Sequence, residues 1–237
     1  MRVKVLFDKT ASNKKLHTGW GISFLVSGRI IFDTGEKGSW LAENMRMLKV
    51  DPGKIEAAVI SHDHWDHQGG LWELLRRRKG LPVYACPNFS REFKEKVKKL
   101  RGHLIEAKKK MMVAEDIFVT GEVAGEYDGK YMPEQAMVVR TKKGISVLTG
   151  CAHPGIIRIL RRAKKILPKE KIHAVLGGFH LVNRDKEDIE KIAGQFRKLG
   201  VQKAGAAHCS GAAAEMIFKA FFKNDFIRVQ AGTGIEV

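Results

Sequence analysis

The sequence is short of cysteine, proline and acidic residues, and it has no long apolar run. Nowhere do 18 or more apolar residues follow one another, so no segment reads as a membrane-spanning helix. Its three cysteines, Cys86, Cys151 and Cys209, are an odd and sparse set. A secreted disulfide scaffold would carry more, so the reading is of a reducing, cytoplasmic protein. With six prolines and no Pro/Gly/Ser-rich tract there is no linker to mark. The 237 residues are therefore read as one domain, 1–237, around one sizeable α/β core. Residues 3–7 alternate as a first strand does, whereas a signal peptide needs a longer apolar stretch and a small-residue cleavage site.

The acid deficit is the loudest compositional fact: 26 Asp and Glu stand against 43 Lys and Arg, for a net charge of +17. Such charge can serve an anionic macromolecule. Here the basic runs are 76–79, 94–101, 108–110 and 161–165. Three of these four lie in or beside amphipathic surface helices, and none shows the basic–aromatic interleaving of a single-strand groove. The charge is read as the solvated helix faces of a thermostable protein. The expected partner is a small anionic substrate, with neither nucleic acid nor membrane.

Strand signals fall at residues 3–7, 21–26, 30–33 and 57–60, with helical patterns at 40–48, 71–78 and 89–100. The second half repeats the order: strands at 135–140 and 145–149, a helix at 156–167, a strand at 174–176, a helix at 186–199, a strand at 204–207 and a helix at 212–222. Extended segments at 226–230 and 234–237 close the chain. Two βα-rich halves of this kind can pack sheet to sheet with helices outside, an α/β, four-layer αβ/βα sandwich.

The buried run Ala57-Ala58-Val59-Ile60 ends at Ser61 and delivers His62, Asp63, His64, Trp65, Asp66 and His67, three histidines and two aspartates in six positions. The C-terminal edge of a core strand is where α/β proteins place their sites. His62 and His64, two apart on extended backbone, face one way and can share a metal. Asp66 and His67, on the turn into a helix, can reach a second metal. Gly69 and Gly70 are expected to permit that turn. Asp33 either hydrogen-bonds to the histidine cluster and positions it, or is a turn residue of Asp33-Thr34-Gly35. Trp65 either stacks on a flat substrate or packs under the loop. Glu134 is expected on a surface turn, with a reach to substrate or metal as its alternative, Cys209 as a small buried hydrophobe rather than a nucleophile, His103 at the surface, His173 in a structural role and His17 on a loop beside the pocket.

Ser61 through Gly70 resembles the His-x-His-x-Asp-His signature of the metallo-β-lactamase superfamily, and Phe32-Asp33-Thr34-Gly35 resembles its upstream strand-end motif. Residues 149–155, 177–181 and 208–211 resemble one subgroup, which includes a dihydropterin ribofuranosyl-aminobenzene-phosphate synthase of methanopterin biosynthesis and related metal-dependent hydrolases. The resemblance implies the metallo-β-lactamase fold and two divalent metal ions, zinc first, with manganese or iron as alternatives. It carries His62 and His64 over as ligands of one metal, Asp66 and His67 as ligands of the other, and His208 as the residue that closes the second site. This sequence departs from the pattern downstream. No histidine falls near 132–136 where a third ligand is usual, and Cys151 stands where the bridging aspartate would be. His153 is the expected replacement ligand; Cys151 either bridges as a thiolate or lines the site. The resemblance also marks His180 as general acid or substrate contact, with a helix cap as its alternative.

The leading functional expectation is hydrolysis of a small-molecule ester or phosphoester by hydroxide activated at the two metals, with Asp66 and His180 as catalytic groups. The alternatives are a pterin-transferring synthase, a nuclease, and a non-catalytic metal- or ligand-binding module.

Overall fold

The computed structural model describes all 237 residues. The chain forms two compact units, Met1–Lys108 with Gln230–Glu236, and Lys109–Val229 with Val237. No helix is long and apolar enough to cross a membrane.

The first unit contains β1 (Arg2–Phe7), β2 (Ser23–Val26), β3 (Ile30–Phe32), α1 (Gly38–Met47), β4 (Ala57–Val59), α2 (Trp65–Gln68), α3 (Leu71–Arg77), β5 (Pro82–Ala85), α4 (Arg91–Lys99) and β6 (His103–Glu106). A closing strand, Gly234–Glu236, returns to pair antiparallel with β1. The seven strands run closing strand–β1–β2–β3–β4–β5–β6. From β3 onward the pairing is parallel. A parallel pair needs a crossover, and α1, α3 and α4 supply them. Their apolar stripes meet the sheet in one core: Leu41 and Met45 of α1, Leu71, Leu74 and Leu75 of α3, and Phe93 and Val97 of α4, with Ile31, Ala58 and Val83. Helix α4 starts where the Ser90 hydroxyl accepts the Phe93 amide.

The second unit contains β7 (Met111–Ala114), β8 (Ile117–Val119), β9 (Glu126–Tyr127), β10 (Lys130–Tyr131), β11 (Met137–Thr141), β12 (Gly144–Thr149), α5 (Ile156–Ile166), β13 (Ile172–Gly178), α6 (Lys186–Lys198), β14 (Lys203–Ala207) and α7 (Gly211–Phe222). Six of its strands form a mixed sheet, β14–β13–β12–β11–β8–β7, while β9 and β10 make a separate hairpin. Strands β12, β13 and β14 are parallel, so their C-terminal loops open at one edge of the sheet. Phe179, Phe196, Phe218 and Phe222 anchor the core between this sheet and the helices.

The expected strands and helices outside 82–131 recur with ends shifted by at most two residues, except 226–230, which makes only a bridge from Phe226 to Ala204. Between 82 and 131 the sequence reading placed no strand, and the molecule has six. These are two to four residues long, too short for an alternation to register, and β6 carries His103 and Glu106 at its ends.

Candidate metal centre

In the first unit, the site begins with a carboxylate. Asp33 leaves β3 with φ +54° and is fully buried. Its Oδ1 accepts the Ser61 amide at 2.7 Å; its Oδ2 accepts the Ser61 hydroxyl and His67 Nδ1, each at 2.7 Å. The Ser61 oxygen also lies 2.8 Å from His62 Nδ1. A hydroxyl has one proton, and the carboxylate takes it, so His62 Nδ1 must donate to Ser61 Oγ. Both His62 and His67 are thereby held as Nδ1–H tautomers, which leaves Nε2 as the ligand atom of each. His62 Nε2 lies 3.1 Å from His64 Nδ1, and His67 Nε2 lies 3.4 Å from Asp66 Oδ2. Two imidazole nitrogens at 3.1 Å hold one another through a proton or a shared cation, and the donor set of imidazole and carboxylate suits a divalent metal. Burial alone would lower the His67 pKa; the Asp33 and Asp66 carboxylates outweigh it and hold the imidazole well above its usual range.

The loop is set by close approach. Gly69 and Gly70 form the expected turn between α2 and α3 with ordinary right-handed backbone, so glycine is required there by close packing and not by positive φ. A Cβ on Gly69 would lie 2.0 Å from the Glu36 carbonyl oxygen, and one on Gly70 would lie 2.3 Å from that of Thr34. Thr34 gives both its amide and its hydroxyl to the His67 carbonyl. Asp63, which carried no expectation, accepts Gln68 Nε2 at 2.8 Å and the Ser90 amide at 2.7 Å, tying the motif to the start of α4. Trp65 is 60% exposed and does not pack under the loop. It lines a cavity of about 590 Å³ with His64, Asp63, Glu36, Trp72 and Lys96. Lys96 Nζ sits 4.3 Å from the Trp72 ring centroid.

In the second unit, Glu134 corrects the sequence reading: it is fully buried rather than on a surface turn. Its carboxylate accepts the amides of Cys151 (3.0 Å), Ala152 (2.8 Å) and His153 (2.9 Å), and His153 Nδ1 at 3.1 Å. Burial would raise its pKa, but His153 and these amides hold it below the usual carboxylate range. The bond to His153 Nδ1 leaves Nε2 as the ligand atom there too. Cys151 Sγ lies 3.3 Å from His208 Nε2. The His153 and His180 rings are 4.6 Å apart, and Tyr127 of the β9–β10 hairpin packs edge-on against both. His180 is not a helix cap, since Asp185 caps α6. Its pKa is raised, first by a hydrogen bond with Cys209, against burial. Its Nδ1 is buried without a hydrogen-bond partner. The ligand atoms of Cys151, His153 and His180 lie within 4.8 Å of one another, a second donor set of metal-binding chemistry.

The remaining histidines sit elsewhere. His103 is exposed, His173 is buried against Gln202, and His17 pairs with Glu43. Sequence reading missed Glu134 and Asp63 because each acts on a loop distant in the chain, and it undervalued Cys209, which adjoins His208.

The family model of the metallo-β-lactamase superfamily matches residues 23–140. The 7,8-dihydropterin-6-methyl-4-(β-D-ribofuranosyl)-aminobenzene-5′-phosphate synthase of Methanocaldococcus jannaschii is 31% identical over 271 positions, covering 95% of this chain and 92% of that protein. This chain belongs to the metallo-β-lactamase superfamily. The solved structure of Tm1679, a metal-dependent hydrolase of the β-lactamase superfamily, matches with a TM-score of 0.83 and 30% identity, over 100% of this chain and 99% of that one. The short form of human tRNase Z gives 0.65 at 14% identity over 100% and 99%, a likeness of fold alone. The metallo-β-lactamase fold is thus built here from two mixed sheets, each with its own helices. The superfamily consists mostly of metal-dependent hydrolases, and the named relative is an enzyme.

Proposed function

We propose that this metallo-β-lactamase-fold chain is a two-metal enzyme that hydrolyses an ester or phosphoester of a small anionic substrate. In the first unit His62, His64, Asp66 and His67 serve as metal ligands, and in the second His153 and His208, with zinc the first choice for so imidazole-rich a set. The observation that carries the reading is the Asp33–Ser61 relay, which fixes the tautomers of His62 and His67 so that both present Nε2. When bound, the ions supply Lewis acidity and a nucleophilic water at neutral pH.

The chain's own groups do the rest. Asp66 orients the attacking water. Asp33 acts through His67 and Ser61 and touches no substrate. His180, whose pKa is raised by its bond with Cys209, is suited to keep a proton near neutrality and give it to the leaving oxygen. The test is elemental analysis of metal-replete protein, with a panel of phosphodiester, lactone and thioester reporters. About two ions per chain and turnover that disappears in His64→Ala support the reading; protein that takes up no metal overturns it.

A second reading is favoured by the 31% identity across nearly all of both chains: a synthase that joins a pterin to an aminobenzene phosphate. The cavity beside His64 supports it, since the exposed Trp65 offers a ring face to a flat heterocycle and Lys96 a cation to a phosphate. Formation of the coupled product from an activated dihydropterin and a ribofuranosyl-aminobenzene phosphate, with no turnover of any hydrolytic reporter, would decide for it.

A further inference from the structure

Cys151 and Cys209 are both buried, neither is in a disulfide, and they lie 58 residues apart on the loops after β12 and β14. Cys209 Sγ points at the Cys151 carbonyl oxygen, 3.6 Å away. The ligand atoms of Cys151, His208 and Cys209 all fall within 4.8 Å of one another, with Cys151 Sγ to His208 Nε2 at 3.3 Å. Zinc at about 2.3 Å from sulfur and about 2.0 Å from nitrogen, in a tetrahedron, separates sulfur from nitrogen by roughly 3.6 Å and two sulfurs by roughly 3.8 Å. The Cys151–His208 separation of 3.3 Å is close to that spacing, and the other two fall within 4.8 Å.

Two further observations show that this packing is specified. Gly178, at the end of β13, approaches so closely that a Cβ there would stand 2.7 Å from Cys209 Sγ and 2.2 Å from the Gly150 carbonyl oxygen. Three non-glycine residues beside the sulfurs, Ala152, His180 and His208, have φ of +66°, +54° and +47°. Left-handed backbone is unfavourable for such residues and persists where the surroundings impose it, most often at functional sites.

We propose that Cys151 and Cys209 are thiolate ligands that, with His208, bind a divalent cation, making this donor set of the second unit a sulfur site. The inference rests on the metal-centre reading and adds Cys151 and Cys209 to its ligands. Thiolates give the ion more electron density than a carboxylate does, so the site selects zinc or cobalt over manganese and magnesium.

The test uses the full-length chain loaded with cobalt(II). The expected result is an intense near-ultraviolet sulfur-to-cobalt charge-transfer band, reduced by about half in Cys209→Ser and again in Cys151→Ser, and unchanged in Cys86→Ser. Cobalt that binds without this band overturns the thiolate ligation and leaves the imidazole centre standing. A band lost with Cys151 and indifferent to Cys209 overturns the role of Cys209. Absence of cobalt binding overturns the metal-centre reading itself. X-ray absorption on the zinc-loaded native chain needs no variant: a zinc–sulfur shell near about 2.3 Å supports the proposal, and a shell of nitrogen and oxygen alone refutes it.

Discussion

The Asp33 carboxylate and the His67 imidazole, 34 residues apart, meet at 2.7 Å with no solvent access to either. One Asp33 oxygen serves both His67 and Ser61, so a single side chain sets the tautomers of two proposed ligands.

Asp33→Asn should therefore disable the centre without touching a ligand. An amide nitrogen facing His67 Nδ1–H sets donor against donor and drives the imidazole to its other tautomer, with Nε2 protonated. Metal affinity should fall about 10- to 100-fold. Competition with a chromogenic chelator measures this directly, and unchanged affinity would refute the positioning role.

Glu134→Gln should be costly for a related reason. The carboxylate receives four N–H groups; an amide has one acceptor oxygen and would turn N–H donors toward the others. A loss on the order of 3 kcal/mol in urea unfolding is expected, because several buried amides lose their acceptor. Glu134→Asp, which keeps the charge on a shorter arm, should recover part of it.

A pH effect on stability follows from Asp8, which burial raises to about 6 despite bonds from Thr10. The folded state then holds this proton more tightly than the unfolded chain does. Stability from this group is greatest below its unfolded pKa of 3.8 and declines as pH rises toward about 6. Above that, the buried carboxylate destabilises the fold by up to ~3 kcal/mol. Asp8→Asn should be more stable than the native chain at pH 8 and show little advantage at pH 4. Denaturant midpoints at the two pH values check the sign.

Trp65→Ala separates binding from folding. The indole is 60% exposed, so stability should change by no more than about 0.5 kcal/mol. If the cavity takes a planar substrate, KM should rise roughly tenfold with kcat little changed, and Trp65→Phe should recover most of the loss. An unchanged KM would remove Trp65 from the substrate site.

The legible part of this molecule was what the chain encodes locally. His62 through His67 stand in six consecutive positions after a buried strand, so their chemistry shows in one dimension. Helices with an apolar stripe, such as α5, were equally plain. Glu134 was not, because its meaning lies in three amides and an imidazole 17 to 19 residues away. The short strands β5 to β10 were hidden for another reason: lengths of two to four residues carry no period, and their pairing is decided by partners elsewhere in the sheet. Cys209 looked like ordinary core until Cys151 and His208 were placed beside it.

The Glu134 clamp is made of protein groups alone. Many small metal-binding domains stay unfolded until they are loaded. Here the loop bearing Cys151 and His153 is already tethered by protein hydrogen bonds alone. The loop is therefore expected to hold its shape when metal is withheld, and circular dichroism with excess chelator checks this. Stripping a bound metal should then silence the chemistry and leave the fold standing.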